Sequence, residues 1–271
     1  MEVLDFSYDK RLLSSFGFII CHFDGAIGKE TLDAGSQITF NTVPQHGGSR
    51  VCLTGSKYET CIQSTFHICK NPCECGDDME ITSYEYRDIV RWLNRKRFLP
   101  FCFYSESQDI ETIWYDASFN IKKLISDGKV YALELTMTTN SPFGYGTPIV
   151  LTLECDSAPQ NYTVRHVSDE IGHTYPDLEI TCKQDGDLQI INHTMECSLV
   201  VRNCIRGEVI NIDGMNQIIS SSSPTHKIYN DFNFVFLKIG NTYRNNANKI
   251  EISQPCTIKM TYRPIIKDLM M

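Results

Sequence analysis

A chain of 271 residues has room for two ordinary cores, and single cores seldom keep growing past this size. A net charge of −8 and a pI near 5.4 argue against a partner held by its phosphate backbone, because nucleic-acid domains present a strongly basic face. With 42% hydrophobic and 11% aromatic residues the chain can bury real cores, yet no window offers the roughly 18 to 20 apolar residues that cross a bilayer.

The opening MEVLDFSYDKRLL is charged early and lacks the basic start and unbroken apolar run of a secretory signal. A soluble protein made in the cytosol is expected, with no membrane insertion, and its twelve cysteines then read as reduced thiols. The stretch HICKNPCECGDD places His67, Cys69, Cys73 and Cys75 together. Thiolates with an imidazole suit zinc, but the Cys-x3-Cys-x-Cys spacing lacks the Cys-x2-Cys knuckles of a structural site. The favoured reading is a loop carrying reduced thiols, without metal or cofactor.

A helix follows, at about 83–97. Thr82 and Glu85 have capping-box spacing, Tyr86, Ile89, Val90 and Leu93 form one apolar stripe, and Pro100 closes the segment. Arg87, Arg91 and Arg95 share the exposed side, with Lys96 and Arg97 at the end. Cations near a helix C-terminus are favoured by the dipole, so a solvated face is the bland reading. An ion-pair surface between subunits is the functional one.

Past the helix, apolar and polar residues alternate with a period of two, the mark of half-buried strands. Tyr131, Leu133, Leu135 and Met137 share a face, with Glu134 and Thr136 opposite. The same alternation is expected in Ile149 to Cys155, Leu178 to Cys182, Cys197 to Val201, Phe232 to Phe236 and Ile258 to Tyr262. Asp127-Gly128, Asp185-Gly186, Asp213-Gly214 and Ile239-Gly240-Asn241 read as turns between them. Between Met137 and Ile149, the segment SPFGYGTP leads into no helix that would bind phosphate and reads as a hinge. The expected organisation is a first domain at 1–140, a linker at 141–148 and a second domain at 149–271. Short strands with frequent turns predict an all-β protein of two antiparallel sandwiches with one helix.

Chemistry is sparse. His166 and His173, with Asp169 and Glu170 between them, stand seven apart rather than the four that places two ligands on one helix face. No nucleophile elbow, phosphate loop or dinucleotide fingerprint appears. The absence of a motif lowers the expectation of an enzyme. In the second half Tyr162, His166, Tyr175, Asn211, Asp213, Tyr229 and Tyr243 supply aromatic and polar groups of the kind that hold sugars. Both tryptophans, Trp92 and Trp114, lie in the first half. A carbohydrate-binding, lectin-like module for host cell-wall glycan is therefore the alternative reading.

Taken in order, DFSYDKRLLSSFGFII, CKNPC, TSYEYRDIVRWLNRKRFLPF, WYDASFN, LELTMTTNSPFGYG, HTYPDLEITCKQDGDLQIIN, GEVINIDGMNQII, DFNFVFLKIGNTYRNNANKIEI and CTIKMTYRP resemble the distal tail protein (Dit) family of long-tailed bacteriophages infecting Gram-positive hosts. The resemblance runs over nearly the whole chain. It implies a ring-forming N-terminal sandwich with a hairpin arm and a helix, and a galectin-like, jelly-roll C-terminal sandwich that docks other proteins. It further implies a homohexamer, as one ring or two stacked, that joins the major tail tube protein to a tail-associated lysin or tip protein. Receptor-binding or other baseplate proteins would be anchored on it, and DNA would pass through its lumen without specific binding. The place implied is the tail tip of the virion, after assembly in the bacterial host cytoplasm.

Overall fold

The computed structural model describes residues 3–21, 38–58, 61–76, 78–105, 112–242 and 245–267. The chain divides into two compact units, one built from Met1–Gly146 with the residues from Ile266 onward, the other from Thr147–Ile265. Almost all of the regular structure is antiparallel strand.

In the first unit seven strands form one sheet, in the order Arg11–Leu12, Val3–Tyr8, Leu99–Ser105, Tyr115–Ser126, Lys129–Thr139, Gln63–Lys70, Phe18–Cys21. The sheet curls until Val3–Tyr8 also lies against Phe18–Cys21, so that one face encloses the core. The alternation in Lys129–Thr139 buries Leu133, Leu135 and Met137 and turns Glu134 outward to an ion pair with Lys122 at 2.7 Å. Asp127 and Gly128 both adopt positive φ, as a two-residue hairpin turn between Ser126 and Lys129 requires.

The helix Ser83–Leu93 begins as the capping box predicts. Thr82 Oγ1 accepts from Glu85 N, and Glu85 Oε2 accepts from Thr82 N at 2.7 Å. It buries Ile89, Trp92 and Leu93. It stops at Leu93, four residues short of expectation. Asn94 leaves the helical region and donates its side-chain amide to Phe119 O at 2.9 Å, and this tertiary bond replaces another helical turn. Arg95 therefore stands beyond the helix, not on its face. Two four-residue helices, Pro72–Cys75 and Ile228–Asp231, were not expected; Asn71 caps the first by accepting from Cys73 N.

The second unit is a two-sheet sandwich. Five strands, in the order Ile149–Cys155, Cys256–Tyr262, Asp177–Cys182, Val209–Asp213, Ile218–Ser221, face four, Gln160–Arg165, Ala247–Ile252, Gly186–Asn192, Cys197–Cys204. Both sheets contribute alternate residues to one core: Leu153, Ile180, Ile210 and Ile258 from one, Leu188, Ile190, Leu199 and Ile250 from the other.

Two local expectations fail in this unit. Phe232 to Phe236 is not a strand: Phe232 and Phe236 are buried, but Phe234 takes φ 54° and points to solvent. The cause is Asn233, whose Oδ1 accepts from Val200 N and Val235 N while its own amide donates to Ser198 O, forcing a local kink. Ile239–Asn241 is a strand paired with Gly172–Thr174, not a turn. Gly240 is needed there for space, since a Cβ would lie 1.9 Å from Met195 Sδ. Among the described residues no helix is long and apolar enough to cross a membrane.

Candidate functional site

Two surface features of the first unit stand out, a cleft of three arginines and an apolar hairpin. The cleft begins with a column of stacked groups. Phe6 lies 5.6 Å from Trp92 with rings nearly parallel, Trp92 stacks on Phe16 at 4.5 Å, and the Arg11 guanidinium covers the far face of Phe16 at 4.2 Å. Buried aromatic area thus holds a cation at the surface. Arg91 and Arg95 complete the walls with Asp88, enclosing about 250 Å³.

Arg91 pairs with Asp88 at 3.0 Å, one helical turn back, and Arg95 Nε donates to Trp92 O at 3.2 Å near the helix C-terminus. Three guanidinium groups against one carboxylate leave a locally cationic pocket on a chain of net charge −8. Guanidinium forks match carboxylates in bidentate pairs, so the chemistry suits an acidic side chain brought by a partner. Of the three arginines expected to share one face, Arg91 and Arg95 line this cleft while Arg87 is exposed on the helix away from it. Arg11 and Phe16 escaped sequence reading because some eighty residues separate them from the helix.

The hairpin Ile38–Pro44 and Val51–Tyr58 is a separate two-stranded sheet. Its pairing opposes Ile38 to Tyr58 and Phe40 to Ser56, then shifts by one residue and opposes Thr42 to Leu53 and Pro44 to Val51. That bulge changes the parity of the second strand. Ile38, Phe40, Leu53 and Val51 consequently share one face, at 48%, 60%, 61% and 60% exposure. A two-stranded hairpin is marginal alone in water, and an exposed apolar row of this kind marks an interaction surface.

The cysteine cluster does not assemble. Cys69 is buried diagonally across a strand pair from Cys21, His67 turns toward Glu134 at 3.8 Å, Cys73 is exposed, and Cys75 Sγ lies 3.3 Å from Met79 Sδ. Among the described residues no three histidine, cysteine or acidic side chains are placed to hold a metal.

The polar and aromatic residues of the second unit are likewise dispersed. Tyr162 lies on the four-stranded sheet with its hydroxyl donating to Glu154 O, while Asn211 and Asp213 stand on the five-stranded sheet. Asp213 is occupied by Asn216, and Tyr175 packs partly into the core. Tyr229 is exposed on its short helix, and Tyr243 lies outside the described residues. His166 is buried against Ser168, and burial pushes its imidazole below the ordinary value. His173 packs edge-on to Tyr175, away from any shared site with His166.

One buried polar network does form. Glu208 Oε1 accepts from His226 Nδ1 at 2.6 Å and from Ser221 Oγ, and Oε2 accepts from Ile205 N at 2.9 Å. Burial alone would raise this carboxyl, but the three hydrogen bonds outweigh it and hold the group below its usual range. His226 Nε2 lies 3.4 Å from Asp231 Oδ2, close enough for charge attraction but without hydrogen-bond geometry. Serine and histidine both address the carboxylate rather than each other, so the arrangement anchors a loop and is not a nucleophile–base pair.

Residues 1–141 match a family described as the phage tail protein N-terminal domain, and residues 143–262 one described as the phage tail C-terminal domain. The SPbeta prophage-derived uncharacterized protein YomH of Bacillus subtilis (strain 168) is 28% identical over 186 residues, 65% of this chain and 68% of that one. The crystal structure of SPP1 Dit (gp 19.1), a paradigm of the hub adsorption apparatus in phages infecting Gram-positive hosts, superposes with a TM-score of 0.65. That likeness covers 97% of this chain and 99% of the other at 13% identity, and it is one of fold. With both domain families matched in order along the curled sheet and the sandwich, the chain belongs to the phage tail proteins and has the all-β fold of Dit.

Proposed function

We propose that this phage tail protein is the distal hub of a long-tailed bacteriophage or tail-like particle, a structural component without catalysis. Six copies close into a ring that continues the tail tube, and DNA passes through the lumen unbound. One side of the ring meets the major tail tube protein and the other a tail-associated lysin or tip protein. The second unit carries receptor-binding or other baseplate proteins. The ring is assembled in the host cytoplasm and resides at the tail tip of the virion.

The apolar face of the hairpin carries this reading. Four large side chains aligned by a bulge at about half exposure or more are costly in water, and a second copy of the chain is the occupant that would cover all of them alike. The fold shared with SPP1 Dit, a hub protein, supports the same conclusion. The arginine cleft adds charge to shape: Arg11, Arg91 and Arg95 would receive carboxylates from the neighbouring copy, which carries a surplus of them. A cyclic ring needs such unlike surfaces, since each copy uses one patch to meet a different patch on the next.

The test is particle mass by light scattering, with negative-stain images, for the wild type and for a Phe40→Asp, Leu53→Asp double variant. The expected result is a ring of about six copies with a central hole for the wild type, and a folded monomer for the variant. A wild-type chain that stays monomeric even with tube and tip proteins added would overturn the proposal.

A further inference from the structure

The sandwich of the second unit holds a group of buried cysteines that its role as a docking domain does not require. Cys155, Cys182, Cys197, Cys204 and Cys256 are all buried. The strand register sets Cys155 directly opposite Cys256, and Cys256 directly opposite Cys182, across three neighbouring strands of the five-stranded sheet. Residues opposite one another point to the same face, here the inner one. Cys204 ends a strand of the other sheet.

The connection after Cys204 brings the two sheets together at this point. Residues 205–208 cross from one sheet to the other, and Gly207 takes φ 82° in the turn. Gly207 N donates to Cys182 O at 2.8 Å, and Cys182 N donates to Glu208 O at 2.9 Å. Ile205 N is held by Glu208 Oε2, and Arg206 N by Asp185 Oδ1 at 2.7 Å. Every residue of the arch is thus tied by its backbone. Cys182, from one sheet, and Cys204, from the other, are both buried in the shared core where the arch joins the sheets, and the Cys204 thiol donates to Val201 O at 3.4 Å.

We propose that Cys182 and Cys204 are an oxidation site, closing into a disulfide between the two sheets when the protein meets a small-molecule disulfide such as oxidised glutathione. One cysteine loses its proton and attacks the glutathione disulfide, forming a mixed disulfide and releasing a glutathione thiolate, which takes up that proton. The second cysteine then displaces the other glutathione. Two S–H bonds are lost, one S–S bond forms, and oxidised glutathione becomes two molecules of the reduced form. The arch between the partners makes this pair the favoured one. Cys155 and Cys256 sit on strands that a continuous ladder already joins, whereas Cys182 and Cys204 tie two sheets that share no ladder.

Burial sets the conditions of the reaction. The neighbouring Cys182 thiol and the loss of solvent hold the Cys204 thiol above its ordinary range, so exchange proceeds through transient opening of the sandwich edge. In a reducing cytosol the pair stays as thiols, and on transfer to an oxidising medium it closes slowly.

The experiment uses the purified full-length chain, fully reduced, then incubated with oxidised glutathione at temperatures approaching its melting transition. Free thiols are quenched with iodoacetamide, and the product is read by intact mass and by peptide mapping without reduction. The expected product is lighter by two hydrogens, contains a linked peptide joining Cys182 to Cys204, and melts several degrees higher until dithiothreitol is added. Cys204→Ser is expected to lose both the linkage and the rise. Should that variant fold poorly, the wild-type map decides alone. Full alkylation of Cys182 and Cys204, glutathione adducts without a linkage, or a bridge confined to Cys155–Cys256 or Cys21–Cys69 would each overturn the proposal.

Discussion

The indole N–H of Trp92 donates to the backbone carbonyl of Tyr8 across 2.9 Å, joining the last turn of the helix to the first strand. The same ring stacks between Phe6 and Phe16 and so supports Arg11 at the mouth of the cleft. One side chain thus links core packing to the cationic surface. Trp92→Phe keeps much of the stacking but removes the donor, and should cost about 1–2 kcal/mol. Trp92→Ala should cost roughly 3–5 kcal/mol, and it would also free Arg11 from its platform. Chemical denaturation of the two variants measures the difference between them, which reports the buried aromatic area.

The start of the same helix depends on one carboxylate with three donors. Glu85 accepts from Thr82 N and Thr82 Oγ1 and pairs with Lys70 at 3.1 Å, where the lysine side chain is almost wholly buried. Thr82→Ala should cost about 1 kcal/mol, the usual value of a lost cap. Glu85→Ala should cost more, about 2 kcal/mol or above, because it also leaves Lys70 without its counter-charge. Equal losses in urea titrations would show that Lys70 finds another partner at no cost.

How far the sequence disclosed this architecture follows from the range of each signal. The capping box and the alternation of Leu133, Leu135 and Met137 are local, and both are found where expected. The stripe of Tyr86, Ile89, Val90 and Leu93 leaves out Trp92, yet it lies three residues after Ile89 on the same face and is buried under Phe6 and Phe16 from the start of the chain. The kink at Phe234 is set by Asn233 bonding to a strand more than thirty residues away, which no period of two records. Gly240 looked like a turn residue because glycine often supplies positive φ, whereas its role is to make room for Met195. The arginine cleft was legible in part: Arg91 and Arg95 are close in sequence, and Arg11 joins them only in the fold.

Phe232 and Phe234 are two residues apart and should respond oppositely to truncation. Phe232, just past the short helix, is buried beside Phe236 with its backbone bridged to Val201 of the four-stranded sheet, so Phe232→Ala should cost about 3–5 kcal/mol. Phe234 is 62% exposed at φ 54°, a backbone region that penalises any side chain by about 1–2 kcal/mol. Phe234→Gly relieves that strain and pays a comparable entropy in the unfolded chain, so its stability should change by less than about 1 kcal/mol. Melting temperatures of the pair test this, and a large loss at Phe234→Gly would show that its tilted contact with Phe232, ring centroids 5.4 Å apart, contributes more than the exposure of the ring suggests.

Acidification should weaken the second unit in two steps of the same sign. His166 is held neutral by burial, with its folded value below the unfolded one, so below about pH 6.5 the unfolded chain takes up a proton that the folded chain refuses. Stability is lost as the pH falls through that window. Glu208 has its folded value depressed below the ordinary 4.5, so its contribution is intact above that pH and is lost as the pH falls toward and through the folded value. Thermal melts at intervals from pH 7.5 to 3.5 should therefore show a shallow decline near pH 6 and a steeper one below pH 4.5. Glu208→Gln should be less stable than wild type at pH 7, because Ser221, His226 and Ile205 N lose a charged acceptor worth about 1.5–3 kcal/mol. The gap between the two proteins should narrow below pH 4.5, where the wild-type carboxyl is itself becoming neutral. A gap that stays constant to pH 3.5 would mean that the Glu208 charge contributes nothing, and that its hydrogen bonds hold the loop equally well in either protonation state.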